Sequence, residues 1–451
     1  METVIGILLL VTFVGLVIYA VKGGNMALGV IIMGTLWTLF AILGHFTSSA
    51  DFLANNPTAG ELTVMGAITT VFQDAFTNNG ANTVLFFFGA FFGRILLDTG
   101  IAPSLIRKTV ELGGDRPVVT TILLTLVVAG IFTSMFGTGA VIAMGVIVLP
   151  ILLSLGIDKR IALTSFMLAI GAGLYMNALP FAQYQVYYAD GASYLFNGQY
   201  IKFGVTAMIV QAVITIVYVI IANASTKKRR VSAWAAPATS QPDTKHVPGI
   251  ALITPFLPVL MVVLFNIPIC FAFLVSALFA LIVCKKLTSF NEAARVITKN
   301  FADGVIDTAP LLCFMMFIQA FNKAASLCVP YFNAVLGGVI PKSALLLCVI
   351  FAVCAPLGLF RGPLTLAGSG AAMLGILSGL GFSTAFLYPL FYAPTMTMNI
   401  SCCITQSWIV WGLNYTKNDT KEYMGHSIPC GWIICIILAA FTFFYYGSLA
   451  F

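Results

Sequence analysis

Residues 118–155 read VVTTILLTLVVAGIFTSMFGTGAVIAMGVIVLPILLSL, an apolar run of 38 residues without a charge. A helix crosses the hydrocarbon core of a bilayer in about 20 residues, so this run is far too long for one crossing. Its middle carries Ser134, Gly137, Thr138 and Gly139. That break predicts a helical hairpin over 118–155 with its tip at 134–139. A second run of 38 residues, SALLLCVIFAVCAPLGLFRGPLTLAGSGAAMLGILSGL (343–380), has its break around Phe360, Arg361, Gly362, Pro363 and Thr365, and predicts a second hairpin.

The rest of the chain sets these runs in a membrane. Of 451 residues, 60% are hydrophobic and 8% charged, with a mean hydropathy of +1.02. A water-soluble domain carries roughly 25% charged residues, so a water-soluble enzyme is excluded and an all-α polytopic membrane protein is expected. Further apolar runs fall at about 3–21, 26–44, 82–100, 161–188, 201–223, 248–265, 267–284, 305–323, 384–412 and 429–449. The N-terminus lacks a basic leader and a small-residue cleavage site, and reads as a first span.

With the N-terminus outside, seventeen Lys and Arg residues fall on the inner side, among them Lys22, Arg107, Lys159, Arg160, Lys227 and Lys417. Only Lys202 and Lys342 fall outside, and Arg94, Lys323 and Arg361 lie within apolar segments. The asymmetry obeys the positive-inside rule and predicts both termini on the periplasmic side of an inner membrane. Drawing the hairpins as full crossings leaves the count unchanged, so the hairpins rest on their breaks. Residues 225–247, STKKRRVSAWAAPATSQPDTKHV, read as a cytoplasmic linker. No basic stretch is interleaved with aromatics as nucleic-acid binding requires. The ten cysteines show no zinc spacing, and no metal or cofactor is expected.

An internal repeat organises the two sides of the linker. FQDAF (72–76) matches FADGV (301–305), and FFFGAFFGR (86–94) matches MMFIQAFNK (315–323), both at an offset of 229. YMNALPFAQ (175–183) and TMNISCCITQ (397–406) follow at an offset of 222, with Met-Asn in each. Counting crossings, the copies start on opposite sides, which makes them inverted repeats of the kind found in secondary transporters. The expected organisation is a first repeat over 1–224, with hairpin 118–155 and broken helix 161–188, and a second over 248–451, with hairpin 343–380 and broken helix 384–412. An interfacial helix (61–80; 287–304) precedes a span carrying a basic residue (82–100; 305–323) in each.

FGRILLDTG (92–100), the basic helix and long hairpin after it, and the closing segment ITQSWIVWGLNYTKNDTKEYMGHSIPCGW (404–432) resemble the gluconate permease family of organic-acid symporters. That family belongs to an ion-transporter superfamily that also holds citrate and dicarboxylate carriers. The resemblance implies two hairpin tips meeting near the midplane, flanked by two broken helices, with substrate and coupling ion between them. It also implies an elevator-like movement of that unit against a scaffold. The chain departs from the family at NALPFAQYQVYYAD (177–190), where a Pro/His/Gly-rich stretch is expected, so a sugar acid, citrate, a dicarboxylate and a zwitterion all stay open as substrates.

Irregular backbone survives in hydrocarbon only where it is buried in protein or lines a wet cavity, which makes both tips and both breaks site candidates. Ser134, Gly137, Thr138 and Gly139 offer N–H groups and hydroxyls. Arg361 beside Gly362 and Thr365 offers a guanidinium, costly in hydrocarbon and so a functional candidate, with Pro363 placed to start the hairpin's second helix. The breaks contribute Asn177 in GAGLYMNALPFAQ (171–183), and Thr395, Thr397 and Asn399 in YAPTMTMNISCCITQ (392–406). Against these stand plain turn geometry at the tips, helix packing by small polar residues, snorkelling for Arg94 and Lys323, and for Arg361 a structural tie to carbonyls or to Asp307. The coupling ion is H+ or Na+, carried by Asp307, Asn177 or Asn399.

The function expected is cation-coupled transport of a small organic anion, and not an enzymatic reaction. The lipid bilayer and a second copy of the chain, in a homodimer, are the other expected partners. A cation/proton antiporter wants a deeply buried acidic pair, and redox or proteolytic chemistry wants histidines or HExxH within spans; His45, His246 and His426 lie outside the apolar runs. A channel is the remaining alternative.

Overall fold

The computed structural model describes residues 1–22, 25–77, 80–114, 116–185, 198–226, 247–336, 343–368 and 370–451. Nearly all of the expected linker 225–247, part of the 177–190 departure, and Lys342 lie outside the described residues. The described elements are helical, with no strand among them.

Helices α1 (Glu2–Val21) and α2 (Met26–Thr47) are apolar on all sides, and short helical pieces then lead to α3 (Gly80–Asp98). Gly100, at φ +77°, turns the chain between α3 and α4 (Ile101–Gly113), and the two helices meet at 56°. The first hairpin follows as α5 (Pro117–Phe132) and α6 (Thr138–Ser154). At 16 and 17 residues, each arm is shorter than the roughly 20 residues a crossing needs. Next come α7 (Lys159–Leu174), a break at 175–177, α8 (Ala178–Gln185) and α9 (Gly198–Thr226).

Beyond the linker a 3₁₀ turn (Gly249–Phe256) runs into α10 (Leu257–Phe265), followed by α11 (Ile269–Val283) and α12 (Phe290–Leu336). The second hairpin is α13 (Ala344–Val353), a 3₁₀ stretch (Ala355–Arg361), irregular backbone to 368, and α14 (Gly370–Gly379). The second broken helix is α15 (Thr384–Pro394), a π-helical turn (Thr395–Cys402), a break at 403–406 and α16 (Ser407–Thr416); α17 (Thr420–Tyr446) closes the bundle.

Three local expectations are corrected. The interfacial helix 287–304 and the span 305–323 are one continuous helix, α12, of 47 residues. At 1.5 Å per residue it is about 70 Å long, more than twice the hydrocarbon thickness of about 30 Å, so its charged start with Glu292, Arg295 and Lys299 reaches beyond the apolar layer. The second arm of hairpin two starts at Gly370, not Pro363, because Phe360 and Arg361 both adopt left-handed backbone (φ +53° and +58°) and turn the chain before a helix can begin. His45 and His426 lie inside α2 and α17, within stretches apolar enough to span, since charged and polar ends are carried on the same helices as the apolar runs.

Packing sorts the helices into two groups. One gathers α1, α2, α3, α11 and α12, with Trp37 buried against Phe321 and Phe332. The other gathers the hairpins, the broken helices, α9 and α17. Wide apolar faces remain exposed on α1, α2, α9 and α17, as at Val11, Ile32, Ile221 and Ile433, which is the expected surface of a chain solvated by lipid.

Candidate functional site

The two broken helices cross at their breaks. Tyr175 Oη lies 2.7 Å from Thr397 Oγ1 and donates toward Ala393 O at 3.1 Å. Gln211, fully buried on α9, ties the crossing together: its Nε2 donates to Leu168 O (2.7 Å) and Ser401 Oγ (3.2 Å), and its Oε1 accepts from Thr397 Oγ1 (2.7 Å). The approach at this point is close. A Cβ on Gly171 would sit within 1.8 Å of Ser401 Oγ, so only glycine fits there. Gln211 escaped the sequence reading; its signal is a lone amide within the apolar run VTAMIVQAVITIVY (205–218).

Asn177 and Asn399 hold matching places in the two breaks and are used in opposite ways. Asn177 Nδ2 donates to Phe132 O and Met135 O, both at 2.9 Å, and its Oδ1 accepts from the Leu179 N–H at 2.9 Å. Its amide is thus committed to fastening the end of α5 and the first tip to the start of α8. Asn399 is equally buried, yet among the described residues neither its Oδ1 nor its Nδ2 has a hydrogen-bond partner. A buried amide left unpaired costs about 1–3 kcal/mol.

Around the second break the chain from Cys403 to Ser407 runs between the two hairpin tips. On one side the Phe360 N–H donates to Cys403 Sγ at 3.0 Å, and the Leu366 N–H donates to Thr395 Oγ1 at 2.9 Å. On the other, Thr138 Oγ1 and Ser407 Oγ share a hydrogen bond of 2.8 Å. Four residue steps separate Cys403 from Ser407, so at most about 14 Å of backbone lies between the two anchor points. No hydrogen bond joins the tips directly among the described residues; the break mediates.

Thr138 and Ser407 are also the first residues of α6 and α16, so two helix N-termini, each with unpaired N–H groups and a partial positive charge, converge at this hydrogen bond. Gly137, at φ +103°, supplies a turn that a Cβ-bearing residue would strain. Gly139 faces Asp307, since a Cβ there would lie 3.1 Å from Asp307 Oδ2. Asp307 is held in turn by Arg94 through two hydrogen bonds of 2.6 Å, Nε to Oδ2 and Nη2 to Oδ1. Both side chains are about one-third exposed, at 35% and 30%, and Ser407 is exposed, so this part of the site is open. The pairing of Arg94 with Asp307 rather than with a headgroup was not legible from its place near a helix end.

The remaining candidates are more enclosed. Ser134 donates to Pro255 O, joining tip one to the 3₁₀ turn of the other half. Arg361 is half-buried and donates from Nη1 to Ala367 O at 3.1 Å, clasping the irregular segment of its own tip. Gly362 and Thr365 are buried, and Thr365 Oγ1 accepts from the Ala367 N–H at 3.3 Å. Thr395 donates to Phe391 O at 2.6 Å while accepting from Leu366. Among the described residues no three His, Cys, Asp or Glu side chains gather as a metal site.

No family model matches the chain, and no curated protein does. Among solved structures it is similar to the YdaH transporter of Alcanivorax borkumensis, with a TM-score of 0.61 at 13% identity, over 94% of this chain and 98% of that one. The likeness lends no support to membership of the gluconate permease family. What the apolar helices and the shared fold establish is an all-α, multi-pass membrane protein with the fold of that structure.

Proposed function

We propose that the chain is a secondary transporter that moves a small organic anion through cation-coupled symport. One observation carries this: two helix N-termini, α6 and α16, begin inside an apolar bundle at hydroxyls that touch, with a guanidinium–carboxylate pair beside them and an open face. Helix N-termini attract anions, and broken helices whose half-helix starts point at a substrate are a recurring transporter device. Hairpins, broken helices, α9 and α17 form the group that moves, and α1, α2, α3, α11 and α12 the scaffold. The chain is an inverted repeat over 1–224 and 248–451, and functions as a homodimer in the inner membrane with both termini outside.

The substrate carboxylate is held by the N–H groups at Gly137, Thr138 and Gly139, by the Thr138 hydroxyl, and by Arg361 reaching from the other tip. Among organic anions, a gluconate-type sugar acid is the class the sequence resemblance names. Asn399 Oδ1 is the oxygen a sodium ion would use, and Asp307 the acid a proton would use.

Purified protein screened by thermal shift against organic acids, with sodium and pH varied separately, tests the reading. Ligands that bind only the folded state raise its stability with concentration, so one carboxylate class should raise Tm in a cation-dependent way and be taken up by proteoliposomes. Absence of both effects across sugar acids, citrate, dicarboxylates and amino acids overturns it. Topology has its own test: a thiol at position 235 should resist an impermeant reagent in intact cells, while one near the C-terminus should react.

A further inference from the structure

A crevice of about 410 Å³ lies between the start of α7, α9 and α17, away from the tips and breaks. Its volume is within the usual range of small-molecule sites, about 300–1,000 Å³. Its walls are graded along their length. On α9 the lining face runs from Ser225 through Ile221 and Val217 to Ile214, and on α17 from His426 through Cys430 to Ile433. Glu422 sits one turn before His426. The polar groups collect where Asp158, the cap of α7, and Arg160 meet His426 and Tyr218, about two turns of α9 in from Ser225, and beyond Tyr218 the lining of Val217, Ile214, Cys430 and Ile433 is apolar. Ser225 to Ile214 spans eleven residues, about 16 Å of helix.

The Arg160 guanidinium there has two carboxylates near it, Asp158 in the lining and Glu422 beside it. Arg160 binds Asp158 through Nε (2.9 Å) and Nη2 (2.8 Å), while its Nη1 has Glu422 Oε1 at 3.9 Å, beyond hydrogen-bond length. Tyr218 Oη and His426 Nδ1 pair at 3.1 Å. Ile221 and Ile433 are 60% and 48% exposed on the bundle's outer surface, so the crevice opens sideways where acyl chains would lie.

We propose that this crevice binds a phospholipid whose headgroup carries a primary ammonium, an ethanolamine phospholipid, with one acyl chain along Val217, Ile214 and Ile433. The grading from charged to apolar matches a lipid lying with its headgroup at the membrane surface. The phosphate meets the remaining Arg160 donors, and the ammonium meets Glu422 and Asp158. A headgroup with net negative charge lacks a partner for the two carboxylates, and a trimethylated choline lacks the N–H donors they accept. The site is independent of which solute, if any, the tips carry.

The test is native mass spectrometry of delipidated full-length protein, offered ethanolamine, choline and glycerol phospholipids with identical acyl chains. The ethanolamine lipid should be retained about tenfold more tightly than the other two. Ile221→Trp, a change at an exposed position that fills the crevice, should lower that retention about tenfold. Glu422→Gln should bring ethanolamine lipid down to the level of choline lipid. Equal retention of all three lipids, preference for the glycerol lipid, or ethanolamine preference unchanged in both variants overturns the proposal. Elution as a single monodisperse peak shows that each variant is folded; if only one variant does, an ethanolamine preference unchanged in that variant overturns the proposal.

Discussion

Tyr175 and Thr397 touch, with 2.7 Å between Oη and Oγ1, and they are 222 positions apart, the same offset that lays Met176-Asn177 on Met398-Asn399. Equivalent positions of two repeats meet only where the axis relating them passes between them. On the proposed repeat, that axis runs through this hydrogen bond, and the two breaks lie on either side of it.

Gln211 is the brace of this crossing. Replacing it by Leu removes three buried hydrogen bonds, to Leu168 O, Ser401 Oγ and the Thr397 hydroxyl, while Thr397 keeps Tyr175 Oη and Ser401 keeps Met396 O. The expected cost is about 1–3 kcal/mol, read as a lowered Tm of the detergent-purified protein. A Gln211→Leu variant as stable as wild type would show that the brace is dispensable.

The two asparagines should separate stability from coupling. Asn177→Ala strands the Leu179 N–H and two carbonyls, and should cost about 1–3 kcal/mol. Asn399→Ala breaks no side-chain hydrogen bond among the described residues and removes an unpaired buried amide; it should leave Tm unchanged or raised and abolish the response to the coupling cation. Equal losses of Tm in both variants would contradict the asymmetry.

Arg361 is expected to bind the substrate carboxylate in addition to clasping Ala367 O. Arg361→Ala should weaken substrate binding by roughly 2–5 kcal/mol, the range for truncating one partner of a buried charge pair. Arg361→Lys should recover only part, because an ammonium cannot reproduce the two-pronged contact. Titration calorimetry with the identified substrate decides it: affinity within about threefold of wild type, under 1 kcal/mol, refutes the assignment.

Asp158 gives a pH test outside the spans. Its hydrogen bond to the Arg160 guanidinium holds its carboxyl below the usual carboxylate range, and it caps α7 through the Arg160 N–H at 2.8 Å. A carboxylate depressed in the folded state stabilises it above the unfolded value, near 3.9, and that contribution disappears as pH falls through the folded value. Asp158→Asn keeps a capping oxygen and loses the ion pair, which is partly exposed and worth about 0–1 kcal/mol. The Tm difference between wild type and Asp158→Asn should therefore be constant from about pH 8 to 5 and shrink only below about pH 4.

The sequence alone determined where the chain cannot be a plain crossing. Two apolar runs of 38 residues, the first without a charge and the second with Arg361 alone, and breaks holding Asn177 and Asn399, locate the hairpins and broken helices because run length and glycine are local properties. Tertiary structure decided what those residues do. That Asn177 is saturated and Asn399 bare depends on whether carbonyls of α5 lie within reach. That Asp307 takes Arg94 depends on α3 packing against α12, across a separation of 213 residues. Phe360 and Arg361 fold left-handed, so the second arm starts at Gly370, which no propensity at Pro363 announces. Each is a contact between segments distant in sequence, and such contacts are fixed by how helices pack.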